Sequence, residues 1–136
     1  MLERVMLIDD NKHDNFFHET AINDTGLAKE VVKYQSAEMA LDFLSGVASA
    51  NGIMPPLIFL DINMPGMSGW EFLQAYQQQV PSEVRKNSTI VMLTTSWNPN
   101  DMERAEKEPE LSGFLNKPLT EEMFGEIVQK HFEKAA

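Results

Sequence analysis

The stretch LIFLDINMPGMSGWEFL, residues 57–73, holds the start of a buried strand, a loop and the start of a helix. Leu57-Ile58-Phe59-Leu60 is apolar at consecutive positions and stops at Asp61. Such a run suits a strand covered on both faces, as in the middle of a parallel sheet, whereas a half-exposed strand alternates. Ser68-Gly69-Trp70-Glu71 has the S-x-x-E form of a capping box, and Trp70, Leu73, Tyr76 and Val80 follow at spacings of three and four. A buried strand leading into a capped amphipathic helix is the building unit of an α/β fold.

The same signature recurs outward from this stretch. Val5-Met6-Leu7-Ile8 and Ile90-Val91-Met92-Leu93 match the central run, and Val31-Val32 and Phe114-Leu115 are shorter candidates, giving five strands. Thr120 is placed as an N-cap before Glu121 and Glu122, which suit the positive helix end, with Met123, Phe124, Ile127, Val128, His131 and Phe132 on one stripe. Asn98-Pro99 reads as an N-cap and a first-turn proline, opening a polar, largely exposed helix through Lys107. The stretch Ser45–Pro56, with Gly46, Gly52, Pro55 and Pro56, is expected to be the longest irregular connection. Strand and helix alternate about five times without repeat or linker, which predicts a doubly wound α/β fold in a single domain over residues 1–136.

Composition narrows the function. A net charge of −10 and a pI near 4.6 argue against direct nucleic-acid binding, which depends on Lys and Arg neutralising phosphates. With no cysteine there are no disulfides, thiolate metal sites or cysteine nucleophiles. No apolar run is long enough for a signal peptide or a membrane span, so a cytoplasmic location without membrane insertion is expected.

In an open parallel sheet, ligands bind beyond the carboxyl ends of the strands. The first strand ends on Asp9 and Asp10, the third on Asp61, the fourth on Thr94 and Thr95, and the fifth on Lys117. Two like charges about 4 Å apart repel by about 1 kcal/mol in water and about 4 kcal/mol at an effective dielectric of 20, so the Asp9-Asp10 pair calls for a cation. Mg²⁺ takes one or two carboxylates, keeps waters and adds phosphate oxygens. A carboxylate can be the nucleophile that forms an aspartyl phosphate, while a metal, an ammonium and a hydroxyl neutralise the transferring group.

LIDDN, FLDINMPGMSG, VMLTTS and GFLNKP, in this order and at these intervals, resemble the receiver domain of two-component response regulators over essentially the whole chain, above all the stand-alone type without an output domain. The resemblance implies a five-stranded parallel (βα)5 sheet with the flavodoxin-like order 2-1-3-4-5. It implies that Asp61 is the phosphoacceptor, with Mg²⁺ held by Asp10, Asp61, the Asn63 backbone carbonyl, and Asp9 directly or through water. Thr94 would bond the phosphoryl group and Lys117 would pair with it from the opposite side, aimed by a cis peptide before Pro118. Met64-Pro65-Gly66 would form the tight loop after the acceptor. The phosphoryl donor would be a histidine kinase or histidine phosphotransfer protein. A downstream protein would read a switch made by Thr94 and Phe114 in trans. The only reactions catalysed would be the chain's own phosphorylation and dephosphorylation.

Two positions depart from the family pattern. Phe114 stands where Tyr is frequent, which keeps the steric part of the switch and loses the hydroxyl. Thr95 stands where Ala or Gly is frequent, and its branched side chain should crowd an attacking water or partner. Trp97 is expected near the site, and Glu103 to Glu110 as a solvated face or, in the family's manner, part of an output surface. His13, His18 and His131 are too scattered to form a site. The alternatives are a Mg²⁺-dependent aspartyl-phosphate phosphatase, a flavin-binding flavodoxin-like protein, and a binding module indifferent to phosphorylation. The phosphatase usually carries D-x-D-x-T or D-x-D-x-V where DDNKHD stands, and the flavin binder needs a phosphate loop where acids stand. The full set of acids with Thr94 and Lys117 argues against the third.

Overall fold

The computed structural model describes residues 1–96 and 98–132. Strands β1 (Val5–Ile8), β2 (Val31–Tyr34), β3 (Leu57–Leu60), β4 (Thr89–Thr94) and β5 (Leu111–Asn116) alternate with helices α1 (Lys12–Thr25), α2 (Ala37–Ser49), α3 (Gly69–Gln79), α4 (Ser82–Arg85), α5 (Pro99–Lys107) and α6 (Glu121–His131). Every neighbouring pair of strands is parallel, in the order β2-β1-β3-β4-β5.

The consecutive apolar runs work because alternate side chains point to opposite faces, and both faces are covered. Met6, Ile8, Ile58, Leu60, Ile90 and Met92 join a core completed by Leu41 and Leu44 of α2, Phe72, Leu73 and Tyr76 of α3, and Ala105 of α5. Val5, Leu7, Leu57, Phe59, Val91 and Leu93 face the other way, onto Ile22 of α1 and Phe124, Ile127 and Val128 of α6. A one-residue slip of β1 or β3 would exchange these sets, so the two cores fix the register that also sets the acids at the strand ends.

The expected caps are in place. Ser68 and Glu71 form both halves of the capping box, Thr120 accepts from the Met123 amide, and Asn98 accepts from the Asn100 amide ahead of an exposed α5. Two elements differ from expectation. The connection expected over Ser45–Pro56 is only residues 50–56, because α2 runs through Gly46 to Ser49. One helical glycine costs about 1 kcal/mol, less than α2 gains by burying Ala40, Leu41 and Leu44. The one-turn α4 is a sixth helix, too short for periodicity to show. Arg85 at its end donates to the carbonyls of Gln77 and Val80 at 2.9 and 2.6 Å, tying it to the end of α3. Among the described residues no helix is long and apolar enough to cross a membrane.

Candidate phosphoacceptor site

The parallel ladder extends one residue beyond β1 and β3. The Asp9 amide donates to Tyr34 O at 3.0 Å and the Asp61 amide to Ile8 O at 3.0 Å, so both acids are held by the sheet. Asn11 then caps α1 by accepting from the His13 and Asp14 amides. The same turn binds Asp9 twice, with the Asn11 amide 2.9 Å from its Oδ1 and the Asn15 side-chain amide 2.8 Å from its carbonyl oxygen. Asp9 and Asp61 are 4 % and 6 % exposed, whereas Asp10 is open to solvent. Each of the three offers a carboxylate oxygen, and these oxygens lie within 4.8 Å of one another.

Lys117 enters from β5. Its backbone amide donates to Thr94 O at 2.9 Å, and its peptide bond to Pro118 is cis. Its ammonium lies 2.5 Å from Asp9, 2.9 Å from Asp14 and 3.3 Å from Asp61, while the other Asp61 oxygen accepts from the Ile62 amide at 2.8 Å. Four carboxylates against one ammonium leave a formal local charge of −3. Burial pushes the Asp9 carboxyl up, against the hydrogen bonds from Lys117 and the Asn11 amide. Burial alone would lower the Lys117 ammonium, but hydrogen bonds to Asp9 and Asp14 and the charges of Asp9 and Asp61 outweigh it and hold the lysine above its ordinary range. A proton-bearing cation already sits on two of the three clustered acids. All-oxygen donors with one solvent-facing acid suit Mg²⁺, which bonds oxygen at about 2.1 Å and keeps part of its water.

Thr94 is fully buried, and its hydroxyl accepts from the Ser96 amide at 3.2 Å. From Ser96 a polar chain runs outward: its hydroxyl donates to Asp101 at 2.8 Å, and the Trp70 indole donates to the other Asp101 oxygen at 3.2 Å. Arg104 stacks over that indole at 4.5 Å. Thr95 is exposed, Phe114 is half-buried against the α2–α3–α5 core, and Asn63 is exposed in the loop after Asp61. In that loop Gly66 adopts φ +78°, where other residues are strained. Gly69 lies so close beneath Asp61 that a Cβ there would meet Asp61 O and, at 2.9 Å, Ile62 Cα. Trp97 lies outside the described residues.

Two residues at the site escaped the sequence. Asp14 reaches Lys117 because it occupies the first turn of α1, one turn beyond Asp10; its facing emerges only once Asn11 is known to be the cap. His18, one of three histidines without an assigned role, is 2 % exposed and lines a cavity of about 10 Å³ with Asn15, Asp9 and Asp61. Burial, then the Lys117 charge, lowers its pKa. His13 is exposed, and His131 is half-buried on α6.

The comparisons with known proteins agree with this fold. The chain is 29 % identical to a two-component response regulator from Cytophaga hutchinsonii, whose crystal structure superposes with a TM-score of 0.87 over 98 % of both chains. It is 25 % identical over 126 residues to the probable methanogenesis regulatory protein FilR2 of Methanothrix harundinacea, covering 93 % of this chain and 79 % of that protein. It is 28 % identical over 130 residues to the sensor histidine kinase GacS of Pseudomonas protegens, covering 93 % of this chain but only 13 % of the kinase. The family model of the response regulator receiver domain matches residues 5–129, and the chain therefore belongs to that family of phosphorylation-coupled modules of two-component signalling.

Proposed function

We propose that the chain is a single-domain response regulator in which Asp61 takes a phosphoryl group from a phosphohistidine on a histidine kinase or histidine phosphotransfer protein. An Asp61 carboxylate oxygen bonds to phosphorus as the phosphorus–nitrogen bond to the histidine breaks, and a proton carried on the other ring nitrogen of the phosphohistidine lets the imidazole leave neutral, giving an acyl phosphate and a free imidazole. The observation that carries this reading is the placement of Asp61. It is a buried carboxylate at a strand end with an ammonium 3.3 Å away and two further acids close enough to share a cation.

Receiver domains generally act as signalling modules and not as enzymes on other substrates, and they bind Mg²⁺ at an acidic pocket. Here Asp9, Asp10, Asp61 and the Asn63 carbonyl would hold the ion, and when bound it supplies positive charge against the phosphoryl oxygens. Lys117 would turn from its carboxylates to the phosphoryl group. Thr94 would give up its bond from the Ser96 amide to donate its hydroxyl, and Phe114 would follow inward, changing the surface that a downstream protein reads in trans. A cytoplasmic location accords with a histidine-kinase donor. No direct nucleic-acid contact is part of this function.

Incubation of the purified protein with Mg²⁺ and acetyl phosphate should add one phosphoryl group by intact mass, and Asp61→Asn should abolish the addition. Unmodified wild type, or equal modification of Asp61→Asn, overturns the assignment.

A further inference from the structure

An ammonium has three N–H donors, and Lys117 is met by three carboxylates. Asp9 and Asp61 belong to the clustered set that would hold Mg²⁺; Asp14 does not. Its side chain is 36 % exposed, on the first turn of α1, and its amide is fixed 3.1 Å from the capping oxygen of Asn11. A divalent ion among Asp9, Asp10 and Asp61 takes up the charge of two of the lysine's three partners. Asp14 is then the partner whose charge remains for the lysine.

We propose that Asp14 is a positioning residue for phosphoryl transfer: it holds the Lys117 ammonium on the α1 side of the acceptor and competes with the arriving phosphoryl group for that cation. The proposal rests on Asp61 as the acceptor. It has a consequence that a loss of structure does not share, because the two ligands of the site carry opposite charges. Asp14→Asn keeps the side chain's shape and removes its charge. Lys117 then falls wholly on Asp9 and Asp61, where it obstructs a metal, so Mg²⁺ binds more weakly. The anionic phosphodonor meets one fewer negative charge and a lysine with one fewer competitor, so transfer at saturating Mg²⁺ becomes faster. For one charge beside a partly buried site, each effect should be on the order of three- to tenfold.

The test compares wild type with Asp14→Asn, Asp14→Glu and Glu19→Gln. The last removes one charge from the same helix at a residue paired 2.7 Å away with Lys33. Three quantities are read: Mg²⁺ affinity by calorimetry, the initial rate of phosphoryl gain from acetyl phosphate at saturating Mg²⁺, and the ¹H–¹⁵N resonance of the Lys117 ammonium in metal-free protein. Asp14→Asn should weaken Mg²⁺ binding, speed transfer and move the ammonium resonance. Asp14→Glu should restore all three towards wild type, and Glu19→Gln should leave them unchanged. If Asp14→Asn matches Glu19→Gln, moves both rates and affinities in one direction, or shifts together with Asp14→Glu, the proposal is wrong. Wild type that gains no phosphoryl group removes the acceptor assignment on its own. The Mg²⁺ affinity and ammonium resonance of Asp14→Asn then decide whether Asp14 holds the lysine.

Discussion

Replacing Lys117 by Met keeps the methylene stem and removes, among the described residues, the only cation among four acids. The side chains of Lys117, Asp9 and Asp61 are 8 %, 6 % and 8 % exposed, so two of its ion pairs are buried. Removing one partner of a buried pair costs about 3–5 kcal/mol, chiefly through the charges left behind, while the half-exposed Asp14 pair adds little. The lower end, about 3 kcal/mol, suits a cluster whose fourth acid is solvated. With an unfolding entropy of about 2.1 cal/mol/K per residue, a 136-residue chain loses roughly 10 °C of melting temperature for that amount. Calorimetry of both proteins in EDTA at pH 7 reads the difference. The gap should narrow as pH falls towards the carboxylate range. Without Lys117 the burial that raises the Asp9 carboxyl loses its main opposing partner, so the folded variant takes up a proton there before the unfolded chain does and acid favours its folded state. Mg²⁺ should restore more stability to the variant than to wild type, since it meets no competing ammonium. A Lys117→Met melt within about 2 °C of wild type in EDTA, or a gap that stays constant down to pH 5, would refute this account.

Tyr76 makes a second pH effect. Its hydroxyl is buried without a partner, Ser88 beside it donating instead to Pro55 O at 2.7 Å, and burial pushes its pKa up to about 12. From the unfolded value near 10 to that folded value only the unfolded chain gives up the proton. Stability is therefore intact below pH 10 and falls by roughly 3 kcal/mol as pH rises through this window. Urea midpoints at pH 9 and 11 should show the drop in wild type and a smaller one in Tyr76→Phe; equal drops would remove Tyr76 as the cause. Gly69→Ala forces a methyl group onto the backbone of Asp61 and Ile62 and should cost about 1–3 kcal/mol. An unchanged urea midpoint would contradict so close an approach.

The sheet was legible because its central strands are read on two faces at once. Val5–Ile8, Leu57–Leu60 and Ile90–Leu93 have no polar position to blur them, and the residue after each is a carboxylate or a hydroxyl, Asp9, Asp61 and Thr94. Asp9, Asp10, Asp61 and Lys117 are therefore gathered where strand-end reasoning expects them. Helix facing was less legible. Asp14, His18 and the chain from Ser96 through Asp101 to Trp70 depend on how α1, α3 and α5 are rotated against the sheet, which long-range packing decides. The extension of α2 beyond Gly46 was hidden for a similar reason: local glycine signals count for less than the apolar face the helix buries.

The ion cluster also has a direction in time. Lys117 stands 103 residues after Asp14 and 56 after Asp61. A chain made at about 5–20 residues per second exposes Asp14 for roughly 5 to 20 s before its counter-charge exists. Until then the pairing of β1 with β3, the middle of the sheet, must bring Asp9 and Asp61 together with no cation of the chain's own between them. β5 thus closes the edge of the sheet and delivers the neutralising charge in one step. A nascent chain halted before it would have most of its apolar surface available to bury and a standing electrostatic reason to stay open.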